Sequence, residues 1–215
     1  MRCLITGGYG YVGAHVAAHA AALGHEVFVL SRGEARSAPF AHTHIRADLT
    51  GTTPAELAAL LPDNLEACAH LAAVSESFVS GYPHLALEAN AYGTRNLLEA
   101  LTLRPGPRPH VVYSSTFHVY GRTGGSIDAS TPPAPKTDYA LTHLFAEEYG
   151  RMFARTQNLP FSVLRLTNGY GAPLLSGSDK WYLLCNDLCR QALREGGITL
   201  KAHPDTQRDF VHLPD

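Results

Sequence analysis

What this chain lacks narrows it before any motif does. No apolar run approaches the ~20 residues a membrane-spanning helix needs, and the opening, Met1 to Gly8, lacks the layout of a secretory leader. A cytoplasmic protein with no membrane partner is the expectation. Neither sign of charge is in excess: 17 Lys and Arg stand against 19 Asp and Glu, a net −2. That offers nucleic acid no basic surface. Only four cysteines occur, Cys3, Cys68, Cys185 and Cys189, too few and too scattered for a disulfide framework. Cys185 and Cys189, like His15 and His19, form i, i+4 pairs without further ligands nearby, so no metal is expected. Repeats and low-complexity tracts are absent as well, which excludes a solenoid.

What is present is a regular alternation of strand and helix patterns. Short apolar runs read as strands at 2–6 (RCLIT), 26–30 (EVFVL), 44–49 (HIRADL), 66–72 (EACAHLA), 110–115 (HVVYSS) and 161–166 (FSVLRL). Between them, Val12, Val16, Ala20 and Leu23 recur at helical spacing and Gly24 closes that helix. Pro54 opens a helix over 53–61, Thr94 to Leu101 carry another apolar stripe, and Leu141 to Phe153 a third. Strands apolar throughout and separated by helices predict a doubly wound parallel α/β sheet, covered on both faces. After Asn168 the rhythm breaks into a Gly/Pro loop, one helix (about 180–195) and the run ITLKA. The expected division is a dinucleotide-binding domain over 1–170 and the start of a small, incomplete substrate lobe over 171–215.

The first strand runs into Thr6-Gly7-Gly8-Tyr9-Gly10-Tyr11-Val12-Gly13 and then into a helix. Glycines there let backbone approach a pyrophosphate and let helix and strand pack closely. Gly8, Gly10 and Gly13 fit one spacing, and Gly7, Gly10 and Gly13 a wider one. The second strand ends Leu30-Ser31-Arg32, with no carboxylate to accept the adenosine ribose hydroxyls. A serine and a guanidinium suit a 2′-phosphate instead, which favours NADP over NAD.

In order along the chain stand TGGYGYVG (6–13), ADL (47–49), HLAA (70–73), NAYGTRNLLEA (90–100), YSSTFHVYG (113–121), YALTH (139–143), LRLTNGYG (164–171) and RDFVH (208–212). With these motifs the sequence resembles the extended short-chain dehydrogenase/reductase family, the NAD(P)-dependent sugar-nucleotide epimerases and dehydratases. The resemblance implies dinucleotide contacts at Gly7, Gly10, Tyr11, Val12 and Gly13, and near the adenine at Asp48 and Leu49. It implies further contacts at Ala72, Ala73 and Asn90, and at the positions of Tyr139 and His143, on the nicotinamide side. Thr116 matches the family's catalytic Ser/Thr and Tyr139 its catalytic tyrosine. Asn168 and Arg208 match residues at the nucleotide-sugar diphosphate. A homodimer through the helices at 90–101 and 139–156 is a further implication, as is additional chain beyond Asp215.

His143 departs from the family pattern. Lysine there is a fixed cation that holds the nicotinamide ribose and helps a phenol, whose ordinary pKa is near 10, to exchange its proton. A histidine near pH 7 is largely neutral. Phe117-His118 also departs, replacing the Asp-Glu pair that 4,6-dehydratases use for elimination, so that reaction is not expected. His118 reads as filling the strand-end loop. The expected function is hydride exchange between a nicotinamide and a nucleotide-linked sugar, as an epimerase or reductase, with Thr116, Tyr139 and His143 as the catalytic group. Two rivals are a dinucleotide-binding protein with little turnover and a reductase of a non-nucleotide carbonyl compound.

Overall fold

Both faces of the first two strands are apolar, and period-2 alternation sends their residues to opposite sides. Leu4, Phe28 and Leu30 point into one core with Leu57, Leu97, Leu101 and Phe153. Ile5, Val27 and Val29 point into a second core with Ala14 and Ala17. In the computed structural model, residues 1–75, 81–122, 124–177, 180–200, 203, 205 and 207–214 are described. Strands β1 (Arg2–Thr6), β2 (Glu26–Ser31), β3 (Thr43–Arg46), β4 (Ala67–His70), β5 (His110–Thr116) and β6 (Phe161–Leu166) form one sheet in the order β3-β2-β1-β4-β5-β6. Every pairing in it is parallel. Helix α1 (Tyr11–Ala22) contributes to the second core. Helix α2 (Pro54–Leu60) belongs to the first, its N-terminus closed by a reciprocal Thr53–Glu56 capping box. The doubly wound expectation holds, and the strand order reverses between β1 and β4, the point at which folds of this kind take their ligands.

The remaining helices are longer or more broken than their periodicity suggests. A short α3 (Pro83–Ala86) continues through a π-helical turn, Leu87–Tyr92, into α4 (Gly93–Leu103). Helix α5 (Asp138–Gln157) carries the YALTH segment, with Thr137 as its N-cap. The segment read as one helix over 180–195 is a 3₁₀ turn, Lys180–Tyr182, followed by α6 (Leu184–Glu195). Ile198 to Leu200 form no strand, while residues 201 and 202 of the ITLKA run lie outside the described residues.

The strand expected over 44–49 stops at Arg46 because Asp48 accepts the Thr50 amide (3.0 Å) and hydroxyl (2.8 Å), turning the chain toward α2. The strand expected over 66–72 is confined to Ala67–His70. A second sheet was not legible: β7 (Asn168–Tyr170) pairs in parallel with β8 (Phe210–His212) across forty residues. Residues after Tyr170 are tied back to α1. The Tyr11 hydroxyl donates to Gly171 O (2.7 Å) and accepts from Asn186 Nδ2 (2.8 Å), and His15 Nε2–H donates to Ala172 O (3.1 Å).

Candidate active site

The glycine turn is built by contact. Gly7 holds φ +70°, a left-handed backbone, and a Cβ there would stand 2.9 Å from Ala72 N. A Cβ on Gly13 would stand 2.1 Å from Gly7 O, so helix and turn touch backbone to backbone. Helix α1 then begins after Gly10 with no side-chain cap and no acidic residue in its first turn. Its first amides are left for an anion, and a pyrophosphate fits that donor set. Gly13→Ala is expected to abolish dinucleotide binding and to destabilise the fold by about 1–3 kcal/mol. Fluorescence titration with NADH and a urea melt check the two halves.

Beside the turn runs a hydrogen-bond chain. Thr94 Oγ1 donates to Asn90 O (2.5 Å), so it accepts from His70 Nε2–H (2.8 Å). His70 Nδ1 in turn accepts from the Thr6 hydroxyl (2.6 Å), whose oxygen accepts the Ala72 amide (3.2 Å). Asn90, fully buried in the π-helical turn, accepts from Val74 N (2.8 Å) and donates to Thr142 Oγ1 on α5 (3.1 Å). Asn90 therefore joins the β4 loop to the tyrosine helix. Ala72 is half-buried and Ala73 exposed, and Ala72 lies directly against Gly7 of the glycine turn.

Tyr139 and His143 share one face of α5, their rings 4.6 Å apart and nearly perpendicular. Thr116, at the end of β5, caps the 3₁₀ turn Phe117–Tyr120 through His118 N (3.2 Å), and the His118 ring reaches to 6.0 Å from Tyr139. His143 is buried, only 3% exposed, with its Nδ1 2.6 Å from the hydroxyl of Tyr113 on β5. Burial outweighs the raising influence of Glu147 and lowers the His143 pKa to about 4, so the ring is neutral at pH 7. One turn on, Glu147 is fully buried and held by Arg165 through two bonds (2.7 and 3.0 Å), by Arg151 (3.0 Å) and by the Ser115 hydroxyl (2.6 Å). Burial raises the Glu147 pKa, but the hydrogen bonds and the two guanidinium charges outweigh it and hold the carboxyl below its ordinary value.

Burial also pushes the His70 pKa down to about 3. Both histidines bind a proton in the unfolded chain at pH values where the folded one refuses it. Stability is thus full above about pH 6.5 and falls below it, at about 1.4 kcal/mol per pH unit for each ring. Urea midpoints taken at about pH 7 and about pH 5.5 are expected to differ accordingly; equal midpoints would contradict the burial of these rings.

On the adenosine side, Ser31 Oγ lies 3.0 Å from His44 Nε2, and Arg32 is exposed beside Asp48. Leu49 is buried, its carbonyl accepting from Asn96 Nδ2 (3.0 Å). Tyr11 has its hydroxyl engaged by Gly171 and Asn186, which leaves its backbone and that of Val12 at the helix start. At the other end, Asn168 and Arg208 both line a cavity of ≈ 430 Å³ with Leu184 and Phe210, and a larger one of ≈ 1030 Å³ with His118 and Arg122. Asn168 Nδ2 donates to Asp209 O (2.9 Å). Among the described residues no three His, Cys, Asp or Glu side chains converge as a metal site, and no helix is long and apolar enough to cross a membrane.

Sequence reasoning missed Tyr113, Glu147 and Arg165. The only signal was spacing: Tyr139, His143 and Glu147 recur every four residues on one face.

A parallel sheet with this order and a glycine turn at the reversal define a doubly wound α/β protein with the layout of the dinucleotide-binding folds. The chain belongs to the NAD dependent epimerase/dehydratase family, whose model matches residues 3–215. It is similar to the GDP-6-deoxy-D-mannose reductase of Pseudomonas aeruginosa, 33% identical over 224 residues that cover 100% of this chain and 67% of the relative. Among solved structures, MoeE5 in complex with UDP-glucose and NAD has a TM-score of 0.81 at 27% identity, covering 99% of this chain and 68% of that one. The UDP-glucose 4-epimerase of Thermus thermophilus, in complex with NAD, has a TM-score of 0.79 at 27% identity over 100% of this chain and 71% of that one. The chain spans about half the length of several curated relatives (49%, 55% and 54%).

Proposed function

We propose that the protein exchanges hydride between a bound nicotinamide dinucleotide and a carbon of a nucleotide-linked sugar, as an epimerase or reductase. The observation that carries this reading is the chain of contacts joining the glycine turn to the β4 loop at Ala72 and, through Asn90, that loop to α5 at Thr142, next to His143. The dinucleotide, when bound, supplies a site that accepts and returns a hydride. Tyr139 gives or takes the hydroxyl proton that must move with that hydride. Thr116 hydrogen-bonds the reacting oxygen from the end of β5, and His143 stands where the family has lysine. Gly7, Gly10 and Gly13 cradle the pyrophosphate, with Tyr11 and Val12 offering backbone amides. Asp48 and Leu49 flank the adenine, and Ala72, Ala73 and Asn90 shape the nicotinamide side.

Ser31 and Arg32, with His44 beside them, favour the 2′-phosphate of NADP. Asn168 and Arg208, shared by two adjoining cavities, hold the diphosphate of the substrate. Residues 1–170 form the dinucleotide domain, and 171–215 begin a substrate lobe. The exposed Leu87, Tyr92, Leu141, Phe145 and Met152 on the helices at 87–103 and 138–157 suit a homodimer interface. The protein works in the cytoplasm.

Calorimetric titration with nucleoside diphosphates and their sugars tests the substrate class. Arg208→Ala is expected to weaken binding by roughly ten- to a hundredfold, the worth of a charge-assisted hydrogen bond. Unchanged binding in Arg208→Ala and Asn168→Ala, with activity toward a simple carbonyl compound lost in Tyr139→Phe, would favour a non-nucleotide substrate. One observation favours a second reading, a dinucleotide-binding protein with weak turnover: the neutral His143 lends Tyr139 no positive charge.

A further inference from the structure

Tyr113 is 1% exposed, and its ring is fixed against those of His70 (5.4 Å) and Phe161 (6.2 Å). Its hydroxyl has one hydrogen-bonding partner among the described residues, His143 Nδ1 at 2.6 Å. Nε2 of the same imidazole is buried and has no partner among them. Two proton arrangements satisfy the short contact. If Nδ1–H donated to the phenol oxygen, the Tyr113 proton and the Nε2 lone pair would both be orphaned. If the phenol donates to Nδ1, a single group is orphaned, the Nε2–H. Because every unpaired buried polar group is costly, the second arrangement wins. Burial also raises the Tyr113 pKa, which keeps the phenol a donor. The groups facing the ring are Tyr113 from β5, Tyr139 and Glu147 from α5, His118 from the 3₁₀ turn and His70 from β4. Glu147 is already held by Arg165, Arg151 and Ser115.

We propose that Tyr113 is the positioning residue for His143: its hydroxyl donates to Nδ1, fixes the neutral imidazole as the Nε2–H tautomer, and leaves that N–H as a donor to a hydroxyl oxygen of the bound dinucleotide. The site thereby uses an oriented, uncharged hydrogen bond where a flexible ammonium would supply a charge. This inference rests on the reading that the tyrosine face of α5 is the cofactor-facing surface. Tyr113 itself touches neither cofactor nor substrate.

The tautomer is read directly by two-bond ¹H–¹⁵N correlation on protein labelled with ¹⁵N-histidine. The His143 signals are assigned by their loss in His143→Gln or, if that variant does not fold, by contacts to the Tyr139 ring protons. The expected pattern at neutral pH is a protonated Nε2 and an unprotonated Nδ1. Tyr113→Phe should convert it to a mixture of the two tautomers and weaken NADH binding by roughly fivefold, the worth of one neutral hydrogen bond. A merely structural phenol would leave the tautomer unmoved. A protonated Nδ1 in the wild-type protein, or the same tautomer in Tyr113→Phe, overturns the proposal. A changed tautomer with unchanged NADH affinity overturns the part that gives Nε2–H to the dinucleotide. Wild-type protein that binds neither NADH nor NADPH overturns that part too and, separately, the cofactor reading, while the tautomer still decides the role of Tyr113.

Discussion

Replacing Tyr139 by phenylalanine is expected to lower turnover by about 10²- to 10⁴-fold while leaving dinucleotide affinity within about twofold of the wild type. The reason lies in the division of labour along the crevice. The proposed dinucleotide contacts lie at the glycine turn and the first amides of α1, away from the phenol's part in the proposed proton transfer. Hydride movement at a carbinol carbon, however, requires loss or gain of the hydroxyl proton, and Tyr139 is the acid/base assigned to it. His118, 6.0 Å away ring to ring and on the wall of the larger cavity, is a second imidazole that can give residual activity. Tyr139→Phe together with His118→Gln should therefore abolish what the single change leaves. Steady-state rates with a matched NADH or NADPH titration check the split, and equal losses in both would contradict it.

The second large effect is on stability. Glu147→Ala is expected to cost about 3–5 kcal/mol, because it strands Arg165 beside an emptied pocket. The Arg165 side chain is 12% exposed and lies over the Tyr120 ring at 4.6 Å, so little water can replace the carboxylate. Arg151, at 38% exposure, turns to solvent and contributes less. For a chain of this size, a melting midpoint lower by on the order of 10 °C follows. Glu147→Leu combined with Arg165→Met should recover most of that loss, since removing both charges leaves nothing unpaired. Thermal melts of the three proteins decide it. A single variant as stable as the wild type would mean that this network carries no stability.

The two predictions also show why some of the molecule was readable and some was not. The strands at 2–6 and 26–30 could be read because their central residues are buried on both faces, giving unbroken apolar runs. Those at 110–115 and 161–166 kept a readable apolar run although the last of them is only half-buried. The glycine turn could be read because close backbone approach admits no side chain. Tyr113 was hidden for the opposite reason. A tyrosine within an apolar strand looks like core, and its meaning depends on His143, thirty residues away in sequence and 2.6 Å away in space. Nothing in the sequence marks Glu147 and Arg165 as partners; the fold encloses the carboxylate fully and brings the guanidinium onto it. The π-helical turn was illegible because its sequence, LEANAY, carries an ordinary helical composition, while the bonds of Asn90 to Val74 and Thr142 are tertiary. The β7–β8 pair is three residues per strand, too short for any periodicity to declare.

His143 changes in meaning once its surroundings are seen. From the sequence it looks like a weakened lysine, and His143→Lys looks like a repair. In the fold the ring is neutral, enclosed and bonded to Tyr113, so a lysine there would bring a charge into a space shaped for an uncharged donor.

The central claim, that the crevice beside Tyr139 holds a nicotinamide dinucleotide, is tested most directly by titrating the protein with NADH and with NADPH and following nicotinamide fluorescence. The account predicts saturable binding at one site per chain, tighter for NADPH, and lost in Gly13→Ala while the variant's circular dichroism still reports a folded chain. No binding of either dinucleotide to the wild-type protein, or equal binding by a folded Gly13→Ala variant, would contradict it.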